Sequence, residues 1–343
     1  MKLGYILCAI LAFGVLILIH ELGHFLCARA CGVEVKEFAI GMGPRLGGWK
    51  SKKYGTQYSL RALPIGGYVS MLGEDEESDS ENSFGKKSVW ARIAIVLSGP
   101  VMNVLLGFLV VILMVSLSGG LYSNEAYYPQ EDVMMSEANG LQDGDRIVAV
   151  GKTPVHTRFE VVYEIARKGV EPIDITVIRD GKKVAVENVI FPTYENSGVL
   201  FGAVDFYAGE DQFNVGNILK HSFFRSVSTV KTVIDSFLDL VKGRYGLDAV
   251  SGPVGVTEII VDAAASGFVD FLYIISVITI NLGIFNLFPI PALDGGRLIF
   301  LLIEAVTRRP VNPKVEGYVH AVGMILLLGL FVVVTFKDVL GLF

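Results

Sequence analysis

Long apolar stretches divide the chain into segments that alternate between membrane-like and polar character. A helix that crosses a bilayer needs about 20 predominantly apolar residues in succession, and four stretches reach that length. They are, approximately, residues 3–26, 93–122, 271–293 and 317–336. The pattern therefore predicts an α-helical polytopic membrane protein with four transmembrane helices.

Two polar regions between these stretches have the patterns of β-structure. Residues 55–74 carry strand-forming residues broken by Gly and Pro, which predicts a β-hairpin region close to the membrane. Between the second and third spans, the turn Asp143-Gly144 is followed by alternating residues, a short amphipathic segment and a second hairpin turn at Asp180-Gly181. This order of strand, helix and hairpin predicts a small α+β domain inserted between two membrane parts.

The segment after this domain has apolar residues at helical spacing over residues 213–240, with basic residues on the other face. Two structures fit that pattern: a helix that lies on the membrane surface, or an ordinary core helix of the inserted domain. The predicted division of the whole chain has four parts. They are an N-terminal membrane part (1–122), the α+β domain (123–200), amphipathic and linker helices (201–265) and a C-terminal membrane part (266–343).

Composition agrees with a membrane protein and excludes other classes. Hydrophobic residues make up 52% of the 343 positions and charged residues 19%, and the mean hydropathy is +0.54. A net charge of -6 argues against nucleic acid as a partner. The three cysteines form no paired framework and predict no disulfide. The N-terminal stretch has a lysine before an apolar core, but no small-residue cleavage site follows, so we expect a retained span.

Basic residues indicate how the chain is oriented. Ten Lys or Arg lie from Arg29 to Arg92, and the connection between the third and fourth spans holds four more. Because cytoplasmic loops of membrane proteins are enriched in Lys and Arg, both connections are predicted to be cytoplasmic. The segment between the second and third spans is then extracytoplasmic, as are both chain ends. Its thirteen basic residues do not oppose this assignment, since long segments cross the membrane largely regardless of charge.

The first apolar stretch contains the motif HELGH, with His20, Glu21 and His24. Ionisable groups inside a span are costly and mark functional sites. Histidines four positions apart lie on one face of a helix, so both imidazoles can bind one zinc ion while the glutamate lies beside the metal. Zinc lowers the pKa of bound water, and the carboxylate can transfer its proton to the leaving amine. The motif therefore predicts a hydrolytic zinc site.

A hydrolytic zinc site needs a third protein ligand, and Asp294 is the best candidate. It follows Pro289 and Pro291 in the segment NLFPIPALDGG, where the prolines break the helix and free backbone groups. The alternative role of Asp294 is to cap the helix that follows, because Asp is a preferred N-cap residue. Because the HExxH motif supplies only two ligands and needs a third, the ligand role of Asp294 is favoured. The other histidines, His156, His221 and His320, lack partners at ligand spacing and are not assigned to the metal.

HELGH in the first span and NLFPIPALDGG at the third, together with GLQDGDRIVAV, which resembles a PDZ domain, resemble the site-2 protease family of intramembrane zinc metalloproteases. The likeness is nearest to bacterial regulator-of-sigma proteases of the RseP/RasP type, here with a single PDZ domain. The resemblance implies that His20, His24 and Asp294 bind Zn²⁺ and that Glu21 is the catalytic acid/base. It also implies a set of substrate-binding residues, namely Asn281, Asn286, Gly66, Gly67, Tyr68 and Val69. For the two asparagines, hydrogen bonding between helices is the alternative.

The resemblance further implies regulated intramembrane proteolysis in a bacterial inner membrane, with the metal near the cytoplasmic side and the PDZ-like domain outside. Expected substrates are single-span membrane proteins that another protease has already shortened, such as anti-sigma factors or remnant signal peptides. Two alternatives are a noncatalytic membrane protein that binds metal or acts as a PDZ scaffold, and a membrane-anchored protease of soluble substrates. Two Gly-Pro motifs, SGPVMN (98–103) and SGPVGV (251–256), are expected to start helices or to allow close packing.

Overall fold

The computed structural model describes residues 2–74, 76, 78–130, 133–196, 198–244, 246 and 250–340. One unit combines Met1–Val110 with Val250–Phe343, and the other is Val111–Ala249. The helices are α1 (Lys2–Ala30), α2 (Val89–Leu117), α3 (Met135–Ala138), α4 (Arg158–Lys168), α5 (Val215–Val241), α6 (Pro253–Ser266), α7 (Phe268–Asn286), α8 (Asp294–Thr307) and α9 (Pro313–Leu340). The strands are β1 (Val35–Lys50), β2 (Gln57–Met71), β3 (Leu121–Tyr127), β4 (Asp145–Val150), β5 (Thr153–Pro154), β6 (Ile173–Arg179), β7 (Lys182–Val189), β8 (Thr193–Asn196), β9 (Val199–Gly202) and β10 (Tyr207–Asp211).

Four helices in the described part of the chain are long and apolar enough to cross a membrane. They comprise Leu7–Ala30 in α1, the whole of α2, the whole of α7 and Lys314–Leu340 in α9. Each contains a window of at least 18 residues with high hydropathy and few charges, which is close to the thickness of the hydrocarbon core. The prediction of a polytopic membrane protein with four spans is confirmed.

The third span ends earlier than its apolar pattern suggests. Residues 271–293 were expected to form it, but α7 ends at Asn286 and α8 begins at Asp294. Pro289 and Pro291 lie between the two helices. A proline cannot donate its backbone nitrogen to a helical hydrogen bond and its ring clashes with the preceding turn, so the apolar residues around the prolines form a connection instead of helix.

The two Gly-Pro motifs have different places in the fold. In the second, Gly252 is the N-cap of α6 and Pro253 its first residue, the position at which proline is favoured because its missing N–H is not needed. In the first, Pro100 lies inside α2. Helix initiation therefore explains the second motif and does not explain the first.

Strands β1 and β2 form one antiparallel pair, in which the same part of β1 pairs with two different parts of β2. Ile40 pairs with both Leu60 and Gly67, and Phe38 pairs with both Tyr58 and Val69. The central part of β1 is therefore flanked on both sides by parts of β2. The C-terminal part of β2 forms an outer edge of this small sheet, because this part of the strand pairs with β1 alone.

The second unit is built on an antiparallel sheet with strand order β10-β3-β4-β6-β7, to which β5 adds by pairing with β4. Its centre contains the completely buried side chains of Ile147, Ile165 and Ile175. Strand β10 pairs with β3, although it falls within 201–265, the range that the sequence analysis assigns to helices and linkers.

Helix α5 in this unit is amphipathic, and its polar face packs against α4. The hydroxyl of Tyr163 on α4 donates to Asp235 at 2.8 Å, and Arg167 donates to Asp239 at 2.7 Å. Exposed apolar side chains recur every four residues, at Val215, Leu219, Phe223 and Val227. A helix with this exposed stripe suits a membrane surface, which stays a prediction.

Candidate metal centre

The histidines of HELGH lie on one face of α1, one turn apart. Their Nε2 atoms are 3.2 Å from each other, and the two residues are only 8% and 9% exposed. The carboxylate of Asp294 faces both rings: its Oδ2 atom is 3.1 Å from Nε2 of His20 and 3.3 Å from Nε2 of His24. The structure therefore brings the three predicted ligand residues together.

The spacing of these three atoms fits a tetrahedral zinc site. Ligand atoms bound to zinc at about 2.0–2.2 Å in tetrahedral geometry lie roughly 3.3–3.6 Å apart, close to the distances observed here. Among the described residues, His20, His24 and Asp294 form the one group of three or more such side chains that could hold a metal ion. Oδ2 of Asp294 is buried and makes no hydrogen bond of good geometry, as expected for an atom arranged to bind a cation.

Asp294 is held in place by a tight turn and by α9. It is the first residue of α8, and the N-cap position is occupied by Leu293, so Asp294 is not the N-cap residue. Ala292 has a left-handed backbone with φ of +75°, and its N–H donates to Nδ1 of His320 at 3.1 Å. Sequence reasoning assigned His320 no role, because nothing in its neighbourhood along the chain connects it with Asp294.

Helix α9 also approaches this turn at a glycine. A Cβ atom on Gly323 would lie 2.3 Å from Cβ of Pro291 and 2.8 Å from its carbonyl carbon and oxygen. No side chain fits at that distance, so the contact requires glycine. Gly329, on the same helix, has open space around its Cα.

We expect Gly323→Ala to destabilise the protein by about 1–3 kcal/mol, the usual cost of overpacking a tight contact, and to weaken zinc retention by displacing the turn before Asp294. Gly329→Ala is the matched control, because alanine favours a helix and meets no neighbour there. The melting temperature and bound zinc of the two purified variants are the measurements. Equal melting temperatures and equal zinc contents would contradict this role for Gly323.

Glu21 lies between the histidine pair and the edge of the small sheet. It is half-buried, and a Cβ atom placed on Gly67 would be 3.5 Å from its Cγ atom. Gly66 adjoins this point with a left-handed φ of +87°, a conformation that glycine adopts without strain. The predicted segment from Gly66 to Val69 therefore lies at the edge of the sheet directly beside the glutamate, where its residues are buried or half-buried.

The side chain of Tyr68 is held within the sheet. Its hydroxyl donates to Oε2 of Glu37 at 2.6 Å, and Arg61 donates to Oε1 of Glu37 at 2.9 Å and also contacts the tyrosine hydroxyl. Burial alone would raise the pKa of the Glu37 carboxyl, but its hydrogen bonds, including those from Tyr68 and Arg61, lower the pKa below its ordinary value. This network holds the tyrosine side chain against Glu37 and Arg61.

The two predicted asparagines lie on different faces of α7. Asn281 is exposed on α7, whereas Asn286 is half-buried at the end of that helix and donates to the carbonyl oxygen of Leu282 at 2.8 Å. Five residues correspond to a rotation of about 140° around an α-helix. Asn286 is therefore the better placed of the two, because it adjoins the turn that leads to Asp294.

Two buried histidines one turn apart and a neighbouring glutamate lie in a candidate membrane span, and a facing aspartate lies just after another; together they define a metal-dependent peptidase embedded in the membrane. The chain belongs to peptidase family M50, the site-2 protease family, whose model matches residues 8–330.

Several curated proteins are similar over nearly their whole length. A protein of Clostridium acetobutylicum, named as a candidate zinc metalloprotease, is 39% identical over 341 residues that cover 97% of each chain. The regulator of sigma-W protease RasP of Bacillus subtilis is 29% identical over an alignment of 426 positions that covers all of both chains. The zinc metalloprotease RasP of Bacillus licheniformis is 29% identical, covering 97% of this chain and 98% of its own. The protein is thus a multi-pass membrane zinc metalloprotease, which excludes the noncatalytic alternative.

Proposed function

We propose that this protein cleaves peptide bonds within the transmembrane segments of single-span membrane proteins, with His20, His24 and Asp294 as the zinc ligands. The observation that carries the proposal is the convergence of their three ligand atoms to within 3.1–3.3 Å of one another. Both histidines belong to a candidate membrane span. A peptidase of soluble substrates gains nothing from placing its ligands in a span, where ionisable groups are costly.

In the proposed reaction, Glu21 moves the proton. Zinc, when bound, polarises the scissile carbonyl and lowers the pKa of water to about 7. The carboxylate of Glu21, adjacent in sequence to His20, accepts a proton as water adds to the carbonyl carbon. It then donates that proton to the amide nitrogen as the carbon–nitrogen bond breaks. The burial of His20 and His24 excludes competing water from the other side of the site.

The edge of β2 is proposed to hold the substrate in an extended form beside Glu21. A transmembrane helix has all its peptide groups hydrogen-bonded internally, so it must unwind before a peptide bond can be attacked. An exposed strand edge compensates for this loss by pairing with the substrate backbone. Gly66 and Gly67 suit such an edge, because the absence of side chains permits close approach of a second backbone. Asn286 is proposed to exchange hydrogen bonds with the backbone of the same unwound segment. Asn281, five residues earlier on α7, is proposed to contact the substrate further from the metal.

The cellular setting belongs to the same proposal. The distribution of Lys and Arg supports a cytoplasmic position for the two connections that contain most of the basic residues near the metal. It supports an extracytoplasmic position for the second unit, Val111–Ala249, of a protein in a bacterial inner membrane. We assign that unit as a PDZ-like domain that admits substrates already shortened by another protease. The name of the Bacillus subtilis relative, a regulator of sigma-W, supports anti-sigma factors as one substrate class, and remnant signal peptides are the other.

The proposal is tested with the purified full chain in lipid nanodiscs that also contain a single-span model substrate. Mass spectrometry of the products should locate the cut inside the apolar segment. A zinc chelator should stop the reaction, and added zinc should restore it. A casein-like soluble protein offered at the same concentration should remain largely intact. Cleavage confined to soluble or juxtamembrane regions would contradict the proposal.

A further inference from the structure

The first Gly-Pro motif, SGPVMN, has a place in the structure that its sequence did not reveal. Its Gly99 and Asn103 lie four residues apart on α2, and they face His24 and His20, which lie four residues apart on α1. A Cβ atom on Gly99 would be 2.2 Å from Nε2 of His24. Nδ2 of Asn103 is placed 3.4 Å from Nδ1 of His20, with Oδ1 on the other side of the same amide. Each histidine therefore has its own partner position in this motif.

The outer nitrogen of each histidine has a defined neighbour. Nδ1 of His24 is 2.8 Å from the carbonyl oxygen of Ile95, which can only accept a hydrogen bond. That acceptor requires a proton on Nδ1 and so leaves Nε2 of His24 free to bind a cation. The matching neighbour of His20 is Asn103, a side chain with no exposed surface whose Oδ1 atom has no hydrogen-bond partner.

An asparagine amide can act on a histidine in two ways. If Nδ2 faces Nδ1, the amide donates, and the neutral ring carries its proton on Nε2, where it blocks metal binding. If the amide is turned by half a rotation so that Oδ1 faces Nδ1, the amide accepts, and Nε2 is free. The oxygen and nitrogen of an amide have nearly the same shape, so the pocket around Asn103 accommodates both orientations.

We propose that Asn103 is a positioning residue that acts through His20: its amide oxygen accepts the Nδ1 proton and fixes the tautomer that binds zinc through Nε2. Gly99 completes the arrangement by leaving room for the ring of His24. This inference rests on the proposed ligand set. It gives the motif SGPVMN a function in the zinc site, whereas close packing alone would need only small residues at both positions.

Asn103 is also linked to α7, which provides a control. The hydroxyl of Thr279 donates to the backbone carbonyl of Asn103 at 3.4 Å, and Thr279 is completely buried. Thr279→Val keeps the volume of this side chain and removes its hydroxyl without touching the amide. It therefore reports how far a general disturbance of the contact between α2 and α7 affects the metal.

The experiment measures zinc affinity by competition with a chromogenic chelator, on the full chain purified in detergent, together with the absorption spectrum of the cobalt-substituted protein. Asn103→Leu removes the acceptor at similar volume and should weaken zinc binding by about 10- to 100-fold, the usual effect of losing such an outer partner. Asn103→Asp retains an acceptor and should bind zinc within about threefold of the wild type, with an unchanged cobalt spectrum. Thr279→Val should resemble the wild type.

Wild-type affinity in Asn103→Leu would overturn the inference, as would equal losses in the Leu and Asp variants or in Thr279→Val. If the Leu variant fails to fold, as judged by its melting temperature without metal, Asn103→Ala takes its place under the same criteria. His20→Ala distinguishes a failure of the proposed ligand set from a failure of the role proposed for Asn103. Undiminished zinc binding by His20→Ala refutes the proposed ligand set, whereas loss of zinc there and retention in Asn103→Leu refutes only the role of Asn103.

Discussion

Glu21→Gln should abolish proteolysis while leaving zinc bound. Glutamine has nearly the same shape as glutamate but cannot accept a proton from water or return one to a leaving amine. General acid–base catalysis contributes about 10²- to 10⁴-fold to rate, so we expect a loss of that size in the cleavage of a single-span substrate. Zinc content per protein, measured on the same preparation, should equal that of the wild type, because His20, His24 and Asp294 are intact.

The control for this variant is Glu258→Gln, which removes the same charge from an exposed position on α6. It should cleave the substrate at the wild-type rate. Cleavage by Glu21→Gln at that rate would refute the assignment of Glu21 as acid/base. Loss of zinc together with activity would show instead that Glu21 is needed to hold the metal.

The sequence pattern predicted the parts of the site that depend on periodicity within one segment. His20 and His24 fall on one face because four residues make roughly one helical turn, and both lie in a span that hydropathy alone identifies. Asp294 was found because Pro289 and Pro291 interrupt an apolar run just before it. In each case the signal lies within a few residues of the group that it concerns.

What the sequence did not predict depends on contacts between segments that are far apart along the chain. Asn103 reaches His20 across 83 positions, and the N–H of Ala292 reaches His320 across 28. Neither partner has a local pattern, because an asparagine in an apolar helix and a histidine at the start of one are each compatible with several roles. Only the packing of α2 on α1 and of α9 on the turn before α8 selects among those roles.

The small sheet shows a second kind of limit. Alternating residues and a Gly-Gly pair predicted β-structure near residues 66–69, but the register depends on where the hairpin bends. Gly41, Gly43 and Gly66 all have positive φ, which lets the strands fold back so that Ile40 gains a partner on each side. The position of the strand edge beside Glu21 is a consequence of these bends and of packing against α1.

Asp294→Ser should remove most of the zinc and all of the proteolysis. Asp294 is the first residue of α8 and not its N-cap, so the substitution removes the carboxylate and costs the helix only the dipole interaction of a first-turn charge, about 0.3–1 kcal/mol. The free energy of zinc binding in four-ligand structural sites is about 10–16 kcal/mol, which corresponds to roughly 2.5–4 kcal/mol for each ligand. Loss of one ligand should therefore weaken zinc binding by on the order of 10²- to 10³-fold.

The matched control is Asp270→Ser, which removes an exposed carboxylate from the first turn of α7. A carboxylate there interacts favourably with the helix dipole by about 0.3–1 kcal/mol, as one in the first turn of α8 does, but Asp270 does not belong to the group of side chains that could hold the metal. Asp270→Ser should keep its zinc, measured by the same chelator competition. If Asp294→Ser also keeps it, then Asp294 serves the helix and not the metal, and a hydrolytic centre with only two protein ligands would have to find its third elsewhere.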